Sequence, residues 1–211
     1  MIAVPAVLTL AITVLRFTGE VVGWDPRWFG REAGGGAALV GIGWLVPVFG
    51  AFFAWQLVRA GKGPASPARA LGTMSIGLGV VAIAVAIVKL LIGPTPTGML
   101  VGACGALACA AFVHAAWPEL GRVNVAYAVL ARLPVAALTF VDVLGDLGTH
   151  YGKLAPGSAP VGDGARIGLL VLAQAVFWVP FTLLGGGLAG AVVALLLRRR
   201  PVPANGSPAD G

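Results

Sequence analysis

The chain is predicted to fold as an all-α bundle of about six membrane-spanning helices, forming one domain over residues 1–200 with both termini cytoplasmic. Three observations predict it. Only 10% of the residues are charged and 58% are hydrophobic, with a mean hydropathy of +0.94, whereas a soluble domain carries about 25% charged residues. Apolar runs recur at close to the roughly 20 residues needed to cross a hydrocarbon core. Lys and Arg gather between those runs, where they set orientation. In lipid, backbone N–H and C=O groups must be satisfied within the element itself, which selects helices.

The first span is expected over about residues 2–22. It lacks the basic n-region and small-residue cleavage site of a signal peptide, so it is read as a retained helix. Pro5 falls in the first turn, where its missing N–H is harmless. Arg16 and Glu20, one turn apart, are expected to pair and snorkel to the headgroups. Residues 24–32, WDPRWFGRE, read as a short interfacial helix capped by Asp25, with Trp24, Trp28 and Phe29 in the membrane. Gly34, Gly35 and Gly36 form a flexible joint.

The second span is expected over about 37–58, with Pro47 at its middle. The linker 59–69 carries Arg59, Lys62 and Arg69 and no acid. The third span covers about 71–92 and is broken by Gly93–Pro94. The fourth, about 98–117, is rich in the Gly and Ala that permit close helix packing. The fifth covers about 123–143. The sixth apolar stretch, about 167–197, has 31 residues and exceeds the roughly 30 Å core at about 1.5 Å per residue. It is read as one tilted helix, kinked near Pro180 or Gly185–Gly187, with a short re-entrant or interfacial piece before the main span as the alternative. Arg198, Arg199 and Arg200 stop it, and residues 201–211 are a polar tail of disordered composition.

With six spans, the basic linker 59–69, Arg122 and the Arg198–Arg200 cluster share one side, which the positive-inside rule makes cytoplasmic. Trp55 and Trp117 are expected in the aromatic belt on that side. The net charge of +6 is thus topological. No basic stripe with interleaved aromatics marks a nucleic-acid partner. The expected partners are the bilayer itself and either other membrane subunits or further copies of the chain. Cys104 and Cys109, five apart on one helix, point to different faces and cannot bridge. No P-loop, dinucleotide, zincin or nucleophile-elbow motif occurs, so no cofactor is specified.

Two constellations carry candidate chemistry. Arg132 lies near the centre of the fifth span. A central Arg costs roughly 2.5–3.5 kcal/mol on insertion scales, against about 3–6 kcal/mol returned by the ten or so Leu, Val and Phe of this span. Such a helix needs shelter, so Arg132 is expected inside the bundle, on a face with Ala128, Val129, Val135, Ala136 and Thr139. Arg132 and Thr139 are the candidate binding residues. No acid is expected at that depth. The expected partners of Arg132 are carbonyls freed by Pro47, Pro134 and Pro180. The second constellation is Asp142, Asp146 and His150, spaced four and four. Stacked on one helical face, they would suit a divalent metal or a proton relay.

Three functions follow. Composition favours a small plasma-membrane protein acting as a structural or accessory component of a membrane assembly. Arg132 favours a transporter or channel for a small anionic solute. Asp142, Asp146 and His150 favour a membrane enzyme. A cavity reaching Arg132 distinguishes the second from the others.

Overall fold

A computed structural model describes residues 1–35, 38–92, 96–156 and 158–198, and every regular element among them is helical. The helices are α1 (Ala3–Val22), α2 (Leu45–Arg59), α3 (Pro67–Ile87, prolonged by a π-helical stretch, Val88–Ile92), α4 (Pro96–Ala116), α5 (Pro118–Gly145), α6 (Asp163–Ala173) and α7 (Val179–Arg198). A second π-helical stretch, Gln174–Trp178, joins α6 to α7. Four helical segments are long and apolar enough to cross a membrane: Ala3–Val22, Pro67–Ile92, Pro118–Gly145 and Asp163–Leu197. The tail 201–211, Arg199 and Arg200, and the Gly93–Pro94 break lie outside the described residues.

Several element boundaries move. The second helix begins at Leu45 rather than near residue 37, so Pro47 sits in its first turn and not at its middle. The glycines at 41 and 43 keep the segment before it in turns, because glycine gains little from helix. α3 begins at Pro67, behind a Ser66 cap that accepts the Arg69 N–H, the arrangement that a Ser-Pro helix start favours. The sixth stretch is helical throughout, from Asp163 to Leu197. Its irregularity falls at Gln174–Trp178, just before Pro180, while Gly185–Gly187 stay helical. Residues 24–32 make a single turn rather than a helix, with the Trp28 and Phe29 N–H groups both on the Asp25 carbonyl. Phe29 lies over Gly19, and Trp24 meets its edge at 5.1 Å.

α7 is the hub, packed against α2, α3, α4 and α5. Its glycines explain how. A methyl on Gly50 of α2 would collide with the Gly186 backbone, and one on Gly190 would stand 3.0 Å from Ala54 Cβ. The Gly186–Gly190 face is therefore the seam with α2, and small residues let the backbones touch where lipid supplies no hydrophobic drive. Phe49, Phe53, Met74, Val113, Leu120 and Tyr127 fill the core beside it. Trp117 belongs to that core, fully buried with its indole N–H on the Lys62 carbonyl at 2.9 Å. It is thus not a belt residue. Trp55 is part-exposed, with the Arg59 guanidinium 4.9 Å above its ring. Cys109 is buried and Cys104 exposed, in keeping with opposite faces.

α1 reverses the soluble pattern. Val4, Val7, Leu8, Val14 and Leu15 point outward, while Thr9, Thr13, Arg16 and Glu20 point inward. A helix whose surroundings are lipid hides its polar stripe. The stripe lies along α5 and beneath the 146–162 loop, where Thr9 Oγ1 meets the Tyr127 hydroxyl at 2.8 Å and the Tyr151 hydroxyl donates to the Thr13 carbonyl at 3.2 Å.

Candidate functional site

The site forms where the ends of α1 and α5 meet the 33–43 segment, the 150–156 loop and the α6–α7 junction. Its anchor is Glu20, which is 0% exposed. Three N–H donors converge on its carboxylate. Arg16 Nε reaches Oε1 at 2.8 Å, the His150 backbone N–H reaches Oε2 at 2.8 Å, and His150 Nδ1 reaches Oε1 at 2.6 Å. An ionised carboxylate only accepts, so Nδ1 carries the ring proton. The rest of the Arg16 head donates through Nη2 to the Gly35 carbonyl at 2.6 Å and the Gly30 carbonyl at 3.1 Å. Gly35 has φ +90°, and a methyl at Gly41 would stand 2.8 Å from Arg16 Nη1. Glycine is needed at both positions, by conformation at one and by space at the other. The Arg16–Glu20 pair is therefore buried and structural, not snorkelled to the surface.

The 146–162 loop is built by α5's own end. Asp146 terminates the helix in the left-handed region, φ 46°, and the Leu147 N–H returns to the Asp142 carbonyl at 3.1 Å. Asp142 Oδ1 then accepts the Thr149 N–H at 3.0 Å, and a side chain at Gly152 would run into Asp142 Oδ2. His150 and Tyr151 thereby sit in a single 3-10 turn, His150–Gly152, capped by the Thr149 hydroxyl. The stacked face expected for Asp142, Asp146 and His150 does not form, because the helix ends between them at Gly145. Asp142 is buried against the loop, Asp146 is exposed, and the His150 ring turns to Glu20. Among the described residues, no group of three or more His, Cys, Asp or Glu is arranged to hold a metal ion.

Beneath this network lies a cavity of about 310 Å³. Arg16, His150, Tyr151 and Lys153 line its loop side, Leu170, Ala173, Gln174 and Trp178 its α6 side, and Arg132 and Val135 its α5 wall. Arg132 is only 7% exposed, as expected of a sheltered cation. Its partners differ from those expected. The guanidinium carbon lies 5.0 Å above the centre of the Trp178 ring, within cation–π range. Nη2 reaches the Thr182 hydroxyl at 3.4 Å, and buried Nε has no partner among the described residues. Pro180 contributes by following the π-helical stretch that brings Trp178 round to α5. Pro47 is elsewhere. Val129 is largely exposed and leaves the Arg132 face, whereas Ala128, Val135 and Thr139 stay on it. Thr139 is buried and donates to its own helix, to the Val135 carbonyl at 3.0 Å, so its hydroxyl is already spent.

Tyr127, just over one turn before Arg132 on α5, belongs to the core, with the Phe49 and Phe53 ring centres each 5.5 Å from its own. A wider basin of about 830 Å³ adjoins the cavity, sharing Ala33, Lys153, Ala155 and Pro156 as a common wall. Arg31, Arg166 and Glu32 also line the basin. Its cations rest on carbonyls. Lys153 Nζ donates to the Arg31 carbonyl at 2.8 Å, Arg166 Nε to the Gly152 carbonyl at 2.5 Å, and Arg31 Nη2 caps the end of α1 at the Glu20 carbonyl. Burial drives the Tyr151 phenol up, so it stays protonated, and burial drives the His150 imidazole down despite the Glu20 hydrogen bond.

Arg16 and Glu20 are the residues that sequence reasoning placed wrongly. The signal was present in the spacing of Thr9, Thr13, Arg16 and Glu20, which puts four polar side chains on one face of an otherwise apolar helix. Comparison with family models, with curated proteins and with solved structures returns no match.

Proposed function

We propose that this chain is a six-span plasma-membrane carrier for a small amphipathic anion, a carboxylate or a phosphate, and that the cavity above Arg132 is its outward-facing binding site. The observation that carries the reading is Arg132 itself, a buried cation in a cavity wall that, among the described residues, pairs with no acid and leaves Nε without a partner. A cation held by an aromatic face and one long hydroxyl contact keeps donors for an incoming anion. The α6 side of the cavity, with Leu170, Ala173 and Trp178, suits an apolar body behind the charged head. A site of this size is near the lower end for small-molecule pockets, about 300 Å³.

Orientation rests on charge. Arg59, Lys62, Arg69 and Arg122 all belong to one end of the bundle, which the positive-inside rule makes cytoplasmic. Both termini then lie inside, α2 and α4 complete six crossings, and the basin opens outward. An impermeant thiol reagent applied to intact cells tests this, since a cysteine at position 155 should react and one at position 62 should not. Binding is tested by calorimetry on protein in nanodiscs, titrated with benzoate and with inorganic phosphate. Saturable binding that Arg132→Ala abolishes supports the reading, and no heat from either probe refutes it.

A second reading, an accessory subunit of an assembly or of a homo-oligomer, draws on α3. Only a small share of its apolar length is covered by the rest of the protein, and Gly72 and Gly79 face open space. Native mass measurement in nanodiscs tests it, and a strictly monomeric mass without co-purifying protein would remove it.

A further inference from the structure

We propose that the cavity takes up its anion together with one proton, carried on His150 Nε2, so that the site fills as a neutral pair. This rests on the anion-binding reading above and adds its ion coupling. Three observations support it. The Nδ1 proton is committed to Glu20 at 2.6 Å, which leaves Nε2 as the basic nitrogen. His150 lines the cavity, and among the described residues the one hydrogen bond its ring makes is that of Nδ1 to Glu20. The ring is also held in place, by its own backbone N–H on Glu20 and by Tyr151 with ring centres 3.9 Å apart. A carboxylate that fixes one imidazole nitrogen and presents the other is the usual way to make a histidine a directed proton acceptor.

The charges around the ring explain the coupling. From α1 come Glu20 and Arg16, which cancel. From α5 come Asp142 and Arg132. The loop adds Tyr151 and Lys153, and Arg166 reaches the Gly152 carbonyl from α6. Among the described residues, the 33–43 segment places Ala33, Gly34, Gly35, Ile42 and Gly43 on the cavity, none of them charged. With Glu20 matched to Arg16, the remaining formal charges lining the cavity among the described residues are Arg132 and Lys153, while the loop-bonded Asp142 is not part of the lining. The empty site is therefore already positive, and a further proton is unwelcome there, in keeping with the depressed imidazole. An anion seated on Arg132 reverses the balance and favours the imidazolium. By reciprocity, the proton then tightens the anion. The proton moves from solvent to Nε2, Nδ1–H stays on Glu20, and no covalent bond changes.

The experiment uses the native full-length chain in nanodiscs and benzoate as the probe. Titration in two buffers of different ionisation heat, near about pH 7, counts protons bound per anion. One proton taken up per benzoate is expected, with affinity rising about tenfold per unit fall in pH between the free and anion-bound His150 values. In His150→Gln, binding should weaken and become flat with pH, with no proton uptake. Benzoate binding without proton uptake by the native chain overturns the coupling and leaves the anion site standing. Undiminished uptake in His150→Gln overturns the assignment to His150. No binding of benzoate at any pH overturns the coupling, and no binding of inorganic phosphate either overturns the anion site as well. Because the native proton count decides alone, a variant that fails to fold does not blunt the test.

Discussion

Replacing Glu20 by Gln is the most informative single change. The native carboxylate accepts from Arg16 Nε, the His150 N–H and His150 Nδ1, all within 2.6–2.8 Å and at zero exposure. An amide offers one acceptor oxygen, turns its NH₂ against at least one of those donors, and leaves the Arg16 guanidinium without a counter-charge. Breaking a buried pair from one side costs about 3–5 kcal/mol. For a chain of this length each kcal/mol lowers the melting temperature by about 2–4 °C, so a fall of roughly 6–20 °C is expected. The assay follows from the fold. Cys109 is fully buried in the core, so in a Cys104→Ser background a thiol-reactive fluorophore reports unfolding in detergent micelles. Arg16→Leu combined with Glu20→Leu removes both charges and should melt above Glu20→Leu alone, because replacing a buried pair by apolar residues is often neutral. A Glu20→Gln protein melting within about 2 °C of the parent would refute the claim that this network ties α1 to the loop after α5.

Three further outcomes are expected. Arg132→Lys should lose anion binding nearly as fully as Arg132→Ala, at least about tenfold by calorimetry, because an ammonium lacks the planar head that stacks on Trp178 and still presents donors. Gly50→Ala should melt well below the parent or fail to assemble, since its methyl meets the Gly186 backbone rather than a movable side chain; such overpacking typically costs about 1–3 kcal/mol or more. Acidification should destabilise the ligand-free protein. His150 sits below its ordinary value in the fold, so the unfolded chain takes up the proton first. Stability is then full above about pH 6.5 and falls as the pH drops toward the folded value. His150→Gln should remove that slope in the same melting assay.

The His150 slope and the Glu20 effect share a contact that spans 130 residues of sequence, and this is where legibility divides. The lipid surroundings, the helical class and the shelter needed by Arg132 followed from local composition, because a bilayer imposes a length and a polarity on each segment separately. The periodicity of α1 even marks which face is polar. Periodicity does not say what the polar face meets. Arg16 and Glu20 look like an ordinary surface pair at four-residue spacing, and Asp142, Asp146 and His150 look like a stacked set until Gly145 ends the helix.

By itself, then, the amino-acid order determined a set of apolar helices, the charges at their ends and the presence of a cation too costly to leave in oil. Only the packed structure decided that α1 turns its Thr, Arg and Glu inward onto α5, that Trp178 rather than a carbonyl covers Arg132, and that His150 answers to Glu20. The physical reason is that burial of a charge is a local demand, readable from one segment. Its satisfaction is a pairing between segments, set here by helices brought close at glycine seams and by the turn that ends α5.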